Sequence, residues 1–469
     1  MNETLARELE PDWVSAEELD GNYRPVLRMV RELIGVIPNC NPILEIWPPG
    51  FRTFNLLVPN LLNLPSAVVG QGAPKDLVGI AMYASSNAAG CPYCTAHHCS
   101  FAIRRGADPD AVLGARSPAE AAVADLAEAM AVVPHRVTPA HVAAIEQHLS
   151  DQDIEWIVLA VSLGGFLNKF MDAMGIQLED ETIADVQALL RPTGWNPGKH
   201  LWSSEFVDGQ LEQEGRQLGS ADTGWAEVDR SDDIPLDGLG TYLRVFRQAP
   251  GAARLEKGWT RGVSGRLGPV LLMLEEEIGY AFPILAALRS QKAVKAIATA
   301  LRDNLDEGQS RVGLRAKLLA GLVYAGEIES ELLSGELMLL IDALVPDADP
   351  RLLAATKRFA AAPTTLSEMP EGLDHRDAAA LLLAKAASPS PAEVSEITVA
   401  TVCPALDADE VVELVVWLAL LQTLGRLYSF FDAKLPADPV GHAESVDADP
   451  APAGWNRSAA DCILRREMV

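Results

Sequence analysis

The feature that most constrains this chain is that it says one thing twice. Residues 137–174, "VTPAHVAAIEQHLSDQDIEWIVLAVSLGGFLNKFMDAM", return in altered form as "PSPAEVSEITVATVCPALDADEVVELVVWLALLQTLGRLYSFFDAK", residues 389–434. Both read Pro-Ala-x-Val, an intervening segment, a capped acidic start, then a long apolar helix ending in an aromatic residue and Asp. With about eight residues inserted in the second copy, an offset of 260 pairs Asp172 with Asp432 and Trp195 with Trp455. Upstream, "GAPKDLVGIAMYA" (72–84) matches "GLRAKLLAGLVYA" (313–325) at an offset of 241, pairing Tyr83 with Tyr324. A pattern written twice is expected to fold twice. The expectation is one helical domain over residues 1–205, a polar, acidic linker over 206–235 and a second copy over 236–469.

Helical periodicity runs through both copies and strand signals are scarce, so the expected fold class is all-α. Helix starts are marked at Thr138-Pro139, at Ser150 before Asp151 and Asp153, and at Ser390-Pro391 with Glu393 following. No window approaches the ~20 uninterrupted apolar residues that span a bilayer, and the acidic N-terminus lacks the pattern of a signal peptide. A cytoplasmic protein is expected. The net charge of -27 repels a phosphate backbone, which argues against a nucleic-acid partner. The six cysteines, at 40, 91, 94, 99, 403 and 462, make no disulfide framework in a chain this long.

Three of those cysteines and two histidines crowd into "GCPYCTAHHCSFAIRRG", residues 90–106. Covalent haem attachment requires His directly after the second Cys, and Thr95 stands there. Structural zinc needs four converging ligands, commonly from two chain elements, and no second Cys or His pair lies within easy reach. A buried, inert cluster accounts for Cys40, Cys99, Cys403 and Cys462 more readily than for Cys-x-x-Cys followed four residues later by His. A redox dithiol uses all three groups. On a helix, Cys91 and Cys94 lie about one turn apart and His98 shares the face of Cys94. A helix N-terminus and a nearby imidazole both favour thiolate. No metal or cofactor is expected.

"KDLVGIAMYASSNAAG", "CPYCTAHH", the acidic Ala-rich stretch from Glu120 to Val133 and the 137–175 segment together resemble the carboxymuconolactone decarboxylase and AhpD-like alkylhydroperoxidase superfamily. The resemblance covers about residues 45–200 and, through the repeat, the second half in degenerate form. It implies an all-helical fold in which Cys94 attacks a hydroperoxide, Cys91 resolves the product to a disulfide, and His98 passes protons in concert with an acid. A thiol or dithiol reductant would reopen the disulfide, and a homo-oligomer is implied. His97 and Cys99 are read as neighbours, Asn168 as inter-helix structure and Trp195 as an anchor for the C-terminal segment.

This chain departs from the pattern at two places. Tyr93 stands between the cysteines where the AhpD proteins have His. Gly79 stands where they have the relay glutamate, and Asp76 is the acid nearest that place. At the offset of 241, Cys91, Cys94 and His98 fall on Leu332, Gly335 and Leu339, so the second copy keeps the fold without the motif. The superfamily also implies two competing readings: a cofactor-free decarboxylase or isomerase acting on a lactone or keto acid, and a non-catalytic assembly protein.

Overall fold

The structure, a computed structural model, describes residues 4–9, 23–64, 66–201, 206–207, 210–211, 238–361 and 373–431. Most of the expected linker lies outside these residues, as do Cys462, Asp432 and Trp455. Within the linker, Phe206–Val207 pairs antiparallel with Gln210–Leu211. The remaining regular structure among the described residues is helical, so the fold is all-α.

The first half carries α1 (Leu5–Glu8), α2 (Arg24–Ile34), α3 (Cys40–Glu45), α4 (Pro48–Leu61), α5 (Lys75–Ala88), α6 (Pro92–Arg104), α7 (Pro109–Val112), α8 (Pro118–Ala131), α9 (Pro139–Glu146), α10 (Asp151–Met174) and α11 (Asp180–Leu190). The second carries α12 (Leu239–Trp259), α13 (Leu267–Ile278), α14 (Gln291–Asn304), α15 (Leu314–Glu327), α16 (Glu331–Leu344), α17 (Pro350–Ala361), α18 (His375–Ala387), α19 (Glu396–Val402) and α20 (Ala408–Phe431).

The helix starts recur at fixed distances. α2 and α4 begin at 24 and 48, α13 and α14 at 267 and 291, a step of 243. α5 and α6 begin at 75 and 92, α15 and α16 at 314 and 331, a step of 239. α8, α9 and α10 begin at 118, 139 and 151, α18, α19 and α20 at 375, 396 and 408, a step of 257. The step widens where the second half carries the longer α17 between α16 and α18.

These steps correct the offsets of 241 and 260 and the Pro-Ala-x-Val match. Pro139 opens α9, whereas Pro391 lies in the turn before α19, which starts at Glu396 with Ser395 as its cap. The Ser390-Pro391 helix start is therefore not observed. The counterpart of Pro391 is Pro134, and both follow cis peptide bonds. The two turns close alike, Arg136 N donating to Ala129 O and Glu393 N to Ala386 O, both at 2.8 Å. A four-residue match was too short to fix the register that the backbone hydrogen bonds set.

One contiguous apolar core draws on both halves. Its centre is α10 packed along α20, each 24 residues long. Both are long and apolar enough to cross a membrane by length and composition, and nearly all of both is buried by the rest of the protein. Helices apolar all round belong in the middle of a large core. Within α10, Gly164 and Gly165 each cost about 1 kcal/mol against Ala in helix propensity. They leave room for α20: a Cβ on Gly165 would lie 2.9 Å from Arg426 Cδ.

Candidate active site

The motif begins where α5 turns into α6. Gly90 makes the turn with φ +66°, and a Cβ there would lie 2.9 Å from Pro391 Cδ of the second half. Cys91 is extended and caps α6, Pro92 takes the first helical position, and the Cys91 sulfur accepts the Cys94 N–H at 3.4 Å. The cap brings the two thiols together at the helix N-terminus, where negative charge is favoured. Both are free and buried. Burial, and then the neighbouring Cys94, push the Cys91 thiol well above its ordinary range. Burial lifts Cys99 to about 12 and also raises Cys40.

Cys94, His97 and His98 open into an apolar cavity of about 80 Å³, partly continuous with solvent, walled by Leu33, Phe54, Val58, Phe101 and Met171 among others. Cys91 is not part of its wall. The two histidines differ in their partners. His98 Nδ1 lies 3.1 Å from Met82 O and 2.6 Å from Ser86 Oγ. A carbonyl only accepts, so Nδ1 carries the proton and Nε2 is the acceptor. Burial first, and then His97, hold His98 down at about 3, so it is neutral.

Among the described residues no carboxylate bonds His98. Asp76 sits in the first turn of α5, six residues before Met82 and ten before Ser86, which is roughly 9–15 Å along a helix. The structure does not bring it to His98. Position 79 is closed as well, because a Cβ on Gly79 would lie 2.5 Å from Ala102 Cα where α5 crosses α6. The acid comes from elsewhere and serves the other histidine. Glu179, which caps α11, receives His97 Nε2 at 2.6 Å, the Tyr93 hydroxyl at 2.8 Å and the Asn39 N–H at 2.6 Å. Burial pushes Glu179 up, but His97 and these donors together hold it below its ordinary value. His97 is thus the acid-paired histidine of the cavity, and Tyr93 fastens that acid from the position between the cysteines.

Behind Cys91 lies a second group. The Cys91 sulfur, an Asp172 carboxylate oxygen and a His200 ring nitrogen all lie within 4.8 Å of one another, and all three residues are buried. His200 Nδ1 donates to Ile176 O at 2.7 Å, and its Nε2 lies 3.5 Å from Asp172 Oδ1. Sulfur, imidazole and carboxylate could together hold a metal ion. Lys199 Nζ already sits 3.0 Å from the same Asp172 oxygen, so the carboxylate has a cation, and the set suits proton transfer from Cys91. Lys169, lowered to about 7 chiefly by burial, donates to the carbonyls of Ala387, Ser388 and Pro389. Trp195 Nε1 donates to Pro92 O at 3.1 Å, anchoring the C-terminal segment to the motif helix as expected.

Asn168 Nδ2 donates to Ser86 Oγ at 2.8 Å, and Arg426 of α20 donates to Asn168 Oδ1 at 2.9 Å. Neither Glu179, His200 nor Arg426 was singled out by the sequence.

No family model matches the chain, and no curated protein sequence matches it. Two solved structures of the debrominase Bmp8 are similar. The apo form has a TM-score of 0.33 at 23% identity, covering 38% of this chain and 94% of that one. A cysteine-to-alanine variant in complex with 2,3,4-tribromopyrrole has a TM-score of 0.32 at 24% identity, covering 36% and 90%. Likeness at this level bears on neither the family nor the chemistry of the chain.

Proposed function

We propose that the chain is a thiol-dependent peroxidase or disulfide oxidoreductase of the AhpD-like kind, a tandem whose second copy lacks the motif, working in the reducing cytoplasm on an apolar hydroperoxide. The observation that carries the reading is the pair of free thiols at the α6 cap, one opening into an apolar cavity beside two histidines and the other turned away from it. In this reading the Cys94 thiol gives its proton to the His97–Glu179 pair, the thiolate attacks the terminal peroxide oxygen, the O–O bond breaks, and the departing alkoxide takes that proton from the pair. The products are an alcohol and Cys94 sulfenic acid. Cys91 then attacks the Cys94 sulfur, giving its proton to His200 Nε2 while Asp172 balances the imidazolium; the S–S bond forms, the Cys94 S–O bond breaks, and the hydroxide takes up that proton to leave as water. Two electrons and two protons from a thiol or dithiol reductant restore the pair.

The test is a thiol count and hydroperoxide consumption with tert-butyl hydroperoxide. Wild type should lose two thiols per chain, Cys94→Ser none, and Cys91→Ser should stop at a dimedone-reactive sulfenic acid. Unchanged thiols in wild type, or full consumption by Cys94→Ser, would overturn the reading. Turnover of a lactone or keto acid by Cys91→Ser/Cys94→Ser protein would put decarboxylation in its place.

A further inference from the structure

We propose that Cys91, Asp172 and His200 form a site for one thiophilic divalent cation, Zn²⁺ by its donor set, and that filling this site takes Cys91 out of the redox cycle. The first part stands on geometry alone. The second rests on the redox reading of Cys91 and Cys94.

The three donors come from three places in the chain. Cys91 caps α6, Asp172 lies in the last turn of α10, and His200 ends the short turn Gly198–His200. Their sulfur, carboxylate oxygen and ring nitrogen lie within 4.8 Å of one another, and the residues are 1%, 3% and 0% exposed. In a tetrahedral zinc site with bonds of about 2.0–2.3 Å, the donor atoms stand roughly 3.3–3.8 Å apart. His200 Nε2 and Asp172 Oδ1, at 3.5 Å, already have that spacing.

Each donor is held from behind. His200 Nδ1 donates to Ile176 O at 2.7 Å, Asp172 Oδ2 accepts the Ala392 N–H at 2.6 Å, and the Cys91 sulfur accepts the Cys94 N–H at 3.4 Å. A metal-ligating imidazole commonly spends its outer N–H in this way, which aims the other nitrogen at the ion. What these bonds leave over faces the group. His200 Nε2 and Asp172 Oδ1 are both buried, and neither has a hydrogen-bond partner among the described residues. Buried polar atoms left in this state are costly unless a ligand answers them.

Lys199 answers one of them in part. Its Nζ lies 3.0 Å from Asp172 Oδ1 and donates to Ala392 O at 3.2 Å, and its side chain is 24% exposed. It can therefore turn out to water and give up its place. A divalent ion there would bind the sulfur and the imidazole as well as the carboxylate, which an ammonium cannot. Thiolate and carboxylate together neutralise the ion. A donor set of sulfur, imidazole and one carboxylate favours zinc over magnesium or calcium, which take oxygen ligands. On binding, the Zn–S bond forms, the Cys91 S–H bond breaks, and the proton passes to solvent buffer. Cys91 is not part of the cavity wall whereas Cys94 is, so the filled site leaves Cys94 open to hydroperoxide. The cycle then stops at Cys94 sulfenic acid, because the sulfur that would resolve it is bonded to metal.

The experiment titrates Co²⁺, a spectroscopic stand-in for zinc, into reduced, metal-free full-length protein. Wild type should develop a thiolate-to-cobalt charge-transfer band with tetrahedral visible bands, saturating at one ion per chain, and one equivalent of Zn²⁺ should remove them. Cys91→Ser should lose the charge-transfer band, His200→Gln should weaken binding by about tenfold or more, and Cys94→Ser should keep the band. Lys199→Met should tighten binding about fivefold, since the ion no longer displaces a cation. Wild type without the band would overturn the site, as would a band lost equally in Cys94→Ser, which would put the ion on both cysteines. Should Cys91→Ser or His200→Gln not fold, Lys199→Met carries the test, and unchanged affinity there would also overturn it. The second readout is tert-butyl hydroperoxide treatment with and without one equivalent of Zn²⁺. With zinc, wild type should stop at a dimedone-reactive sulfenic acid; disulfide formed at the zinc-free rate would overturn the arrest of the cycle. Protein that shows the cobalt band but forms no disulfide even without zinc would instead remove the redox reading and leave the metal site standing.

Discussion

The start of α6 and the start of α16 are the same piece of backbone put to different ends. At the step of 239, Cys91 corresponds to Ser330, and each caps its helix by accepting the N–H three residues on, Cys94 N at 3.4 Å and Leu333 N at 3.3 Å. The residues expected at these places, Leu332, Gly335 and Leu339, are replaced by Ser330, Leu333 and Leu337 for Cys91, Cys94 and His98. Where the first half has His97, the second has Glu336. Where Met171 lines the cavity, Tyr428 stands at the matching turn of α20 and donates to Glu336, as does Tyr280 at 3.0 Å. A thiol and a hydroxyl serve equally as a cap. What separates the halves is the side chains beyond it, which in one case leave a cavity beside a nucleophile and in the other close hydroxyls onto a buried acid.

The halves also place buried charge differently. Lys317 and Glu413 form a fully buried ion pair in the second half, and their counterparts in the first are Val78 and Trp156. Lys317→Met should cost about 3–5 kcal/mol in chemical denaturation, because it leaves Glu413 buried without its cation. Lys317→Met/Glu413→Gln should recover most of that loss. If the single and double variants were equally unstable, the pair would not be the unit that distinguishes the halves.

The two buried acids sharpen the comparison through pH. Glu336 is raised to about 7 by burial, against the hydroxyls of Tyr428 and Tyr280. Between about 4.5 and 7 the unfolded chain has lost this proton and the folded chain keeps it, so Glu336 makes stability fall as pH rises through that window, by roughly 3 kcal/mol. Glu179 is lowered, so its contribution is present above its ordinary value and is lost as pH falls through the lowered one. Denaturation of Glu336→Gln should lack the fall toward pH 7, and Glu179→Gln should lack the loss on the acid side. Parallel pH profiles for the two variants would contradict the assignment.

Gly165 tests the crossing of the two halves. An exposed helical Gly→Ala change gains about 1 kcal/mol, but Gly165→Ala meets Arg426 at 2.9 Å and should destabilise by about 1–3 kcal/mol. A gain in stability would mean that α20 does not depend on that gap. The smallest effect belongs to Asp76→Asn, which should leave stability within about 0.5 kcal/mol and hydroperoxide consumption unchanged. A large loss there would restore Asp76 to the relay.

Much of the fold was legible because its signals are local. Thr138-Pro139 and Ser150 open helices where they stand, and the apolar character of α10 and α20 follows from their central place. The thiol pair was legible for the same reason, being a cap and a first turn. The acid was not, since Glu179 lies 82 residues beyond His97 and no spacing rule joins them. His200 was hidden in the same way. Arg426 did leave a trace, a lone charge within the apolar run "LLQTLGRLYSFF", and such a residue is almost never buried without a reason. The register between the two series of helix starts was not legible, because short matches such as Pro-Ala-x-Val slide where hydrogen bonds do not.

The central claim is that Cys91 and Cys94 form one redox unit. It is tested most directly by mass spectrometry of the full chain, treated with one equivalent of tert-butyl hydroperoxide, denatured and alkylated. The account predicts that Cys91 and Cys94 escape alkylation and are together two hydrogens lighter, while Cys40, Cys99, Cys403 and Cys462 are alkylated as in untreated protein. Full alkylation of Cys91 and Cys94 after peroxide, or oxidation spread evenly over all six cysteines, would contradict it.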